Sequence, residues 1–377
     1  MDILFYTSSL GGGGAEKHVQ RLANAIQNEG HHVTVATARK GGSYEQHLSG
    51  DVEQIVLSDG WSNSSTWRLM RSVRPLRRHI LHRKLDVVCS VMDHVNVRLL
   101  RALDGIPNSP PAVLSVQNNT TAQFGREASW QKRLLFWRMK RRYGEADSII
   151  SLTQEGAEQL VEMDLAEPDQ VVVIPNAGLD EAVYEAKEAP LKEGTPKPSD
   201  ALLVACGSLT EQKGYPYLLD AFRQVCDQRE AELWILGKGN QRRAIESRIQ
   251  ELGLSDNVAL LGFRDNPFKF MAASDVFVSS SLWEGFGNVI VEAMACGTPV
   301  VSTDCPHGPG EIVSHEENGL LVPPGDAHAL SEAILRVLTD DTLSEQLSEN
   351  GKRRAQDFHA SAIAQEYLDL FGDIISE

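Results

Sequence analysis

Two doubly wound α/β domains built on parallel sheets are what this chain of 377 residues predicts. Short Val/Ile/Leu runs alternate with longer stretches of helical periodicity, and the alternation occurs twice over. A segment rich in Pro, Glu, Lys and Gly, residues 175–200, separates the two halves. Apolar runs that do not alternate with polar residues mark strands covered on both faces, which is the condition of a parallel sheet. The length suffices for two ordinary cores. A composition of 42% hydrophobic and 23% charged residues is globular and excludes wholesale disorder.

In chain order, the first half offers strands at 3–6, 33–36, 87–91, 112–116, 148–152 and 171–174. The opening MDILFY has no basic n-region and reads as the first strand, not a leader peptide. A helix is expected at 17–27. Pro190, Pro196 and Pro198 break any helix in 175–200, so the linker is placed there, with domains at 1–178 and 179–359. The second half offers strands at 202–205, 233–236, 258–261, 276–279 and 300–302, then helices at 327–339 and 343–358. Residues 360–377 are expected to form one more helix that packs back on the first domain. Such sheets bind ligands beyond the C-terminal ends of their strands, and two of them facing one another would leave a cleft there.

Five cysteines with no CxxC pair argue against a disulfide or zinc framework and for a reducing compartment. No apolar run has the length of a membrane span, so a cytoplasmic protein is expected. The net charge of −16 is unevenly spread. Residues 61–143 hold 16 Lys and Arg against four acids, an excess of +12 that leaves −28 on the remainder. That asymmetry suggests one face that meets an anionic surface or substrate, against the alternative of ordinary solvated helix faces.

The most informative run is EGFGNVIVE, residues 284–292, followed by AMACGTPVV. Two carboxylates, Glu284 and Glu292, flank a glycine turn that opens a helix, and such a turn aims backbone N–H groups at an anion. Eight residues at about 1.5 Å each separate the carboxylates by at most roughly 12 Å. They are not a close acid/base couple; the span suits one extended ligand, a phosphate between hydroxyl-bearing sugars. Taken alone, the run is equally compatible with two surface glutamates.

Three further strand-end turns carry chemistry. LGGGGAE, residues 10–16, follows the first strand; Gly13 and Gly14 would let a phosphate approach, but Glu16 stands where a dinucleotide fingerprint has its third glycine. GSLTEQKG, residues 207–214, places Lys213 to meet a diphosphate. LGFRDNP, residues 261–267, offers Phe263, Arg264 and the backbone to a base. Singly, each reads as well as a tight turn or a solvated side chain.

In this order the four turns resemble those of the retaining glycosyltransferases of family 4, which have the GT-B fold of two Rossmann-like domains. The resemblance also takes in residues 115–119 and 304–324 and so covers nearly the whole chain. It implies that Glu292 holds ribose hydroxyls, that Glu284 lies by the donor sugar, and that Phe286, Gly287, Asn288 and Val289 line sugar and phosphates. Gly207 and Ser208 would border the donor, and Lys213 would neutralise the leaving diphosphate. Gly13, Gly14, Gln117 and Asn118 would serve the acceptor or interdomain side. It further implies a UDP-linked donor, a glycan or lipid-linked acceptor, retention of α configuration, no metal and no cofactor, and no nucleic acid. Three positions depart from the family: Ser208 and Gly310 where Arg is common, and Gln117 where Arg or His is. Their expected consequence is a shifted substrate choice. Two other readings remain: an inactive nucleotide-sugar-binding partner subunit, and a sugar-nucleotide epimerase or a phosphorylase on the same fold.

Within residues 130–143, Trp130, Leu134 and Trp137 share one helical stripe, and Leu135, Phe136, Met139 and Tyr143 fall roughly opposite. One stripe must pack on the core. The other, ringed by arginines, would touch an anionic membrane surface, the inner face of the plasma membrane, unless the helix is buried on both sides.

Overall fold

The computed structural model describes residues 1–11, 13–58, 69–125, 129–191 and 201–376. Pro196, Pro198 and the rest of 192–200 lie outside the described residues, as does Gly12 of the first glycine turn. The chain divides into two compact units, Met1–Ala177 with Ala360–Glu377, and Gly178–His359.

The first unit holds seven parallel strands: β1 (Asp2–Thr7), β2 (His32–Thr37), β3 (Glu53–Val56), β4 (Val87–Val91), β5 (Ala112–Val116), β6 (Ser148–Ser151) and β7 (Val171–Val173). Their order is β3-β2-β1-β4-β5-β6-β7, with Ile3 in register with both Val33 and Val87. Successive side chains of β1 go to opposite faces: Ile3 and Phe5 enter one apolar core, Leu4 and Tyr6 the other. On the first of these faces the helix Gly14–Asn28 buries Val19, Leu22, Ala23 and Ile26. The helix Ala360–Ser376 joins the same core through Ile363, Tyr367 and Phe371, four residues apart along one stripe.

The second unit holds six parallel strands: β8 (Ala201–Cys206), β9 (Ala231–Leu236), β10 (Val258–Gly262), β11 (Val276–Ser279), β12 (Val300–Thr303) and β13 (Leu320–Val322), in the order β10-β9-β8-β11-β12-β13. In both sheets the winding reverses beside the first strand, between β1 and β4 and between β8 and β11. A reversal of this kind opens a crevice at the strand C-termini.

Two strands escape the sequence reading, one for want of an apolar run and one for its shortness. β3 is an edge strand reading EQIV, none of it buried, and β13 is an edge strand of three residues. The first helix starts at Gly14, three residues before the expected 17. The helix expected at 343–358 spans Asp341–Gln356, because the Asp340 carboxylate caps it by accepting from the Leu343 amide at 3.0 Å. The expected linker is corrected in part: its segment before Pro190 contains a helix, Glu181–Lys187, anchored in the second unit by buried Val183.

Candidate functional site

Four loops leave the C-terminal ends of β8, β9, β11 and β12, and hydrogen bonds tie them together. After β8, the Leu209 amide donates to the Lys238 carbonyl at 3.0 Å, joining this loop to the one after β9. The Leu282 amide donates to the Gln212 carbonyl at 2.7 Å, and the Ser280 hydroxyl donates to the Lys213 carbonyl at 2.8 Å. The Glu284 amide donates to the Pro306 carbonyl at 3.2 Å, bringing in the loop after β12. The backbone at Gly214 is left-handed, with φ of +59°, and a Cβ there would stand 2.1 Å from the Ser280 carbonyl oxygen. Only glycine allows this contact, which seats the Lys213 turn against the β11 loop.

At the centre, Lys213 Nζ pairs with Glu284 Oε1. The side chains are 15% and 7% exposed, so the pair is largely out of water. Glu284 also accepts from the Ser281 hydroxyl at 2.6 Å and from Gln212 Nε2 at 3.3 Å. A buried carboxylate is stable only with such company. Its negative charge is felt nearby: the Cys305 thiol is pushed up to about 12, by burial first and by Glu284 second. The Tyr215 hydroxyl is pushed up too, by burial, Cys206 and Glu284.

Glu284 lies in the loop, and the helix spans Asn288–Cys296 with left-handed Gly287, φ +107°, at its N-cap. The assumption of helical rise from Glu284 onward is therefore corrected, since only the second half of the interval is helical. Glu292 is 3% exposed, so neither glutamate is an ordinary surface residue. Phe286 is buried against Phe358, with ring centroids 5.4 Å apart, while Asn288 and Val289 are half-buried at the first turn. Around this centre, Ser208, Phe263 and Arg264 are exposed and Gly207 is half-buried. Lys238, which sequence reasoning missed, holds its ammonium 4.8 Å from the centre of the Phe263 ring. The signal was available: Gly237-Lys238-Gly239 follows β9 directly, closer to its strand than Lys213 is to β8.

In the first unit, Gly13 and Gly14 are exposed at the start of the helix Gly14–Asn28. The Glu16 carboxylate accepts from the backbone amides of Glu16 and Gly13, and burial raises its pKa. A carboxylate of the chain itself thus sits where a phosphate was expected. Gln117 is buried, and its Nε2 donates to the Ser115 hydroxyl at 2.8 Å; Asn118 is exposed beside it. Ser115 also bonds the Tyr367 hydroxyl, which meets His18 Nε2 at 3.2 Å. His18 Nδ1 accepts from the Ala177 amide at 2.9 Å, so the ring proton is on Nε2, and burial lowers the His18 pKa to about 3.

The helix Trp130–Arg142 presents Trp130 and Trp137 to solvent, 72% and 53% exposed, while Met139 is buried and Leu135 and Phe136 pack on the core. Burial of the helix on both sides is thus set aside. Among the described residues, no helix is long and apolar enough to cross a membrane.

The chain matches two family profiles: "Glycosyltransferase Family 4" over residues 12–177 and "Glycosyl transferases group 1" over residues 187–354. The lipopolysaccharide core biosynthesis glycosyltransferase LpsE of Rhizobium meliloti is 31% identical over 362 residues, covering 95% of this chain and 95% of LpsE. The N-acetylgalactosamine-N,N'-diacetylbacillosaminyl-diphospho-undecaprenol 4-alpha-N-acetylgalactosaminyltransferase of Campylobacter jejuni is 32% identical over 228 residues, 60% of each chain. Among solved structures, Anabaena HepE in complex with UDP-glucose superposes with a TM-score of 0.82 at 24% identity, covering 99% of this chain and 100% of that one.

Proposed function

Because this chain belongs to glycosyltransferase family 4, within the glycosyl transferases group 1, we propose that it moves a sugar from a UDP-linked donor to a glycan or lipid-linked hydroxyl with retention of configuration. The observation that carries the reading is the Lys213–Glu284 pair, enclosed by the loops that follow β8, β11 and β12. The bond from the anomeric carbon to the phosphate oxygen breaks, and negative charge grows on the leaving diphosphate. Lys213 is the cation placed to meet it, drawing away from Glu284 toward the more highly charged partner. Glu284 then acts as an orienting carboxylate for the sugar. The acceptor oxygen bonds to the anomeric carbon on the face the phosphate leaves, and the phosphate oxygen takes its proton.

Glu292 is assigned to the ribose hydroxyls, Phe286, Gly287, Asn288 and Val289 to sugar and phosphates, and Phe263, Arg264, Gly207 and Ser208 to the outer part of the donor. Gln117, Asn118, Gly13 and Gly14 are assigned to the acceptor or interdomain side. With Lys213 supplying the positive charge, the reading requires no metal, and EDTA is expected to leave the rate unchanged. The names of the relatives speak of lipopolysaccharide core and diphospho-undecaprenol, and favour an envelope glycan as product. The exposed stripe Trp130, Leu134 and Trp137 would hold the enzyme on the cytoplasmic face of the membrane where such acceptors reside.

The test is a thermal-shift titration with UDP, GDP and ADP and their sugars, on wild type and Glu292→Ala. A shift specific to one nucleotide and lost in the variant supports the donor assignment. No shift with any nucleotide overturns it, whereas a shift without turnover on any acceptor favours an inactive nucleotide-sugar-binding subunit.

A further inference from the structure

We propose that a cavity in the first unit, distinct from the loops already described, binds a phosphate monoester or diphosphate through Arg98, Arg101 and Arg138. The cavity encloses about 240 Å³ and lies among the helices Val73–His82, Asp93–Leu103 and Trp130–Arg142. It is smaller than the roughly 300–1,000 Å³ that encloses a drug-sized ligand, and so takes a small anion or one end of a larger molecule. Val73 and Val97 give it an apolar lining, and four guanidinia share it.

Those four are not equivalent. Arg142 is engaged, with Nη1 donating to Asp104 Oδ2 at 3.2 Å and Nη2 to Glu145 Oε2 at 2.6 Å. Among the described residues, no carboxylate lies within ion-pair distance of Arg98, Arg101 or Arg138. Arg98 Nη1 donates to the His94 carbonyl of its own helix, while its Nε is buried with no partner. A buried, unsatisfied donor on a charged group is rare unless something supplies the acceptor. Burial, with Arg138 and Arg101 close by, also draws the Arg98 pKa below the ordinary arginine value. Asp104 feels the charge of Arg101, but its carboxylate is already held by Arg142.

Three guanidinia with no ion pair of their own, around one small space, repel one another and remain together at a cost that a multivalent anion removes. A phosphate monoester brings roughly −1.5 to −2 charges, and its oxygens match the guanidinium fork. A single carboxylate would leave most of the excess. The cavity also accounts for part of the +12 excess of residues 61–143, which the donor loops of the second unit leave unused. At its rim Met70 is 52% exposed, and Trp137 precedes Arg138 on the helix Trp130–Arg142. The phosphate therefore has two sources, a soluble anion or the headgroup of a lipid.

Both are tested on the full chain with Arg101→Gln/Arg138→Gln, two exposed positions whose loss does not threaten the fold. Calorimetric titration with inorganic pyrophosphate tests the soluble source. Flotation with phosphatidylcholine vesicles doped with phosphatidic acid, against vesicles doped with phosphatidylglycerol, tests the headgroup. The expected result is that the double variant loses roughly tenfold in affinity for one probe, while it responds to UDP as wild type does. Loss on pyrophosphate identifies the soluble source; loss on phosphatidic acid alone identifies the headgroup. The proposal is overturned if neither probe binds, if the double variant binds both like wild type, or if only Lys213→Ala loses pyrophosphate. UDP binding is read separately on the same variants, so failure here leaves the donor assignment standing.

Discussion

Lys213 and Glu284, 71 residues apart in sequence, form a largely buried ion pair whose carboxylate also accepts from Ser281 and Gln212. Breaking such a pair from one side strands a buried charge, whereas replacing both partners does not. Lys213→Met and Glu284→Gln are each expected to lower stability toward the lower end of roughly 3–5 kcal/mol, since Lys213 keeps some access to water. The double variant recovers most of that in urea unfolding while transfer activity stays lost. Recovery of activity along with stability would show the pair to be structural only.

Gly214 and Gly253 are both left-handed, with φ of +59° and +68°, but their surroundings differ. A Cβ at Gly253 meets nothing within 4 Å, so Gly253→Ala carries only the conformational cost of about 1–2 kcal/mol. At Gly214 a Cβ would collide with the Ser280 carbonyl, so Gly214→Ala must also part the Lys213 turn from the β11 loop. Unfolding should place Gly214→Ala below Gly253→Ala, and only Gly214→Ala should weaken nucleotide affinity. Equal losses in both would rule out this seating of Lys213.

Asp93 sits at the start of the helix Asp93–Leu103, buried, with Oδ1 accepting from the Tyr143 hydroxyl at 3.0 Å. Burial raises its pKa from 3.8 to about 6. Between those values the folded protein holds a proton the unfolded chain has lost, so this group's contribution falls as pH rises from about 4 to about 6 and is level above. The shift corresponds to roughly 3 kcal/mol. Asp93→Asn keeps the acceptor for Tyr143 without the charge. The stability difference between variant and wild type should therefore grow in the variant's favour across that window. A difference independent of pH would refute the assignment.

Trp130 and Trp137 pack on nothing in the core, so Trp130→Ser/Trp137→Ser should leave stability within about 0.5 kcal/mol per site. Co-sedimentation with anionic vesicles at low salt should drop sharply, and unchanged binding would remove the stripe from the membrane contact.

Where a strand is buried on both faces, its own residues announce it: VVCSV and AVLSV give β4 and β5 to the residue. Edge strands such as β3 draw their place from neighbours and have no such run. The candidate site was marked in the sequence at Lys213, Glu284 and Glu292 because the glycines around them are local punctuation. Their pairing was not, since Lys213 meets Glu284 only after the whole β8–β11 segment has folded. Arg98, Arg101 and Arg138 read singly as solvated helix residues, and only the packing of three helices brings them to one cavity.

The first unit draws its last helix, Ala360–Ser376, from beyond the whole second unit. On the ribosome, residues 1–177 emerge roughly 200 residues ahead of that helix, a delay of about 10–40 s at 5–20 residues per second. During it, the face formed by Val19, Leu22 and Ile26 lacks the cover of Tyr367 and Phe371, while the second unit is contiguous and closes on its own. The N-terminal half of this enzyme is thus the last part to mature, and chains stalled or clipped before residue 360 are the ones a chaperone or protease would find open.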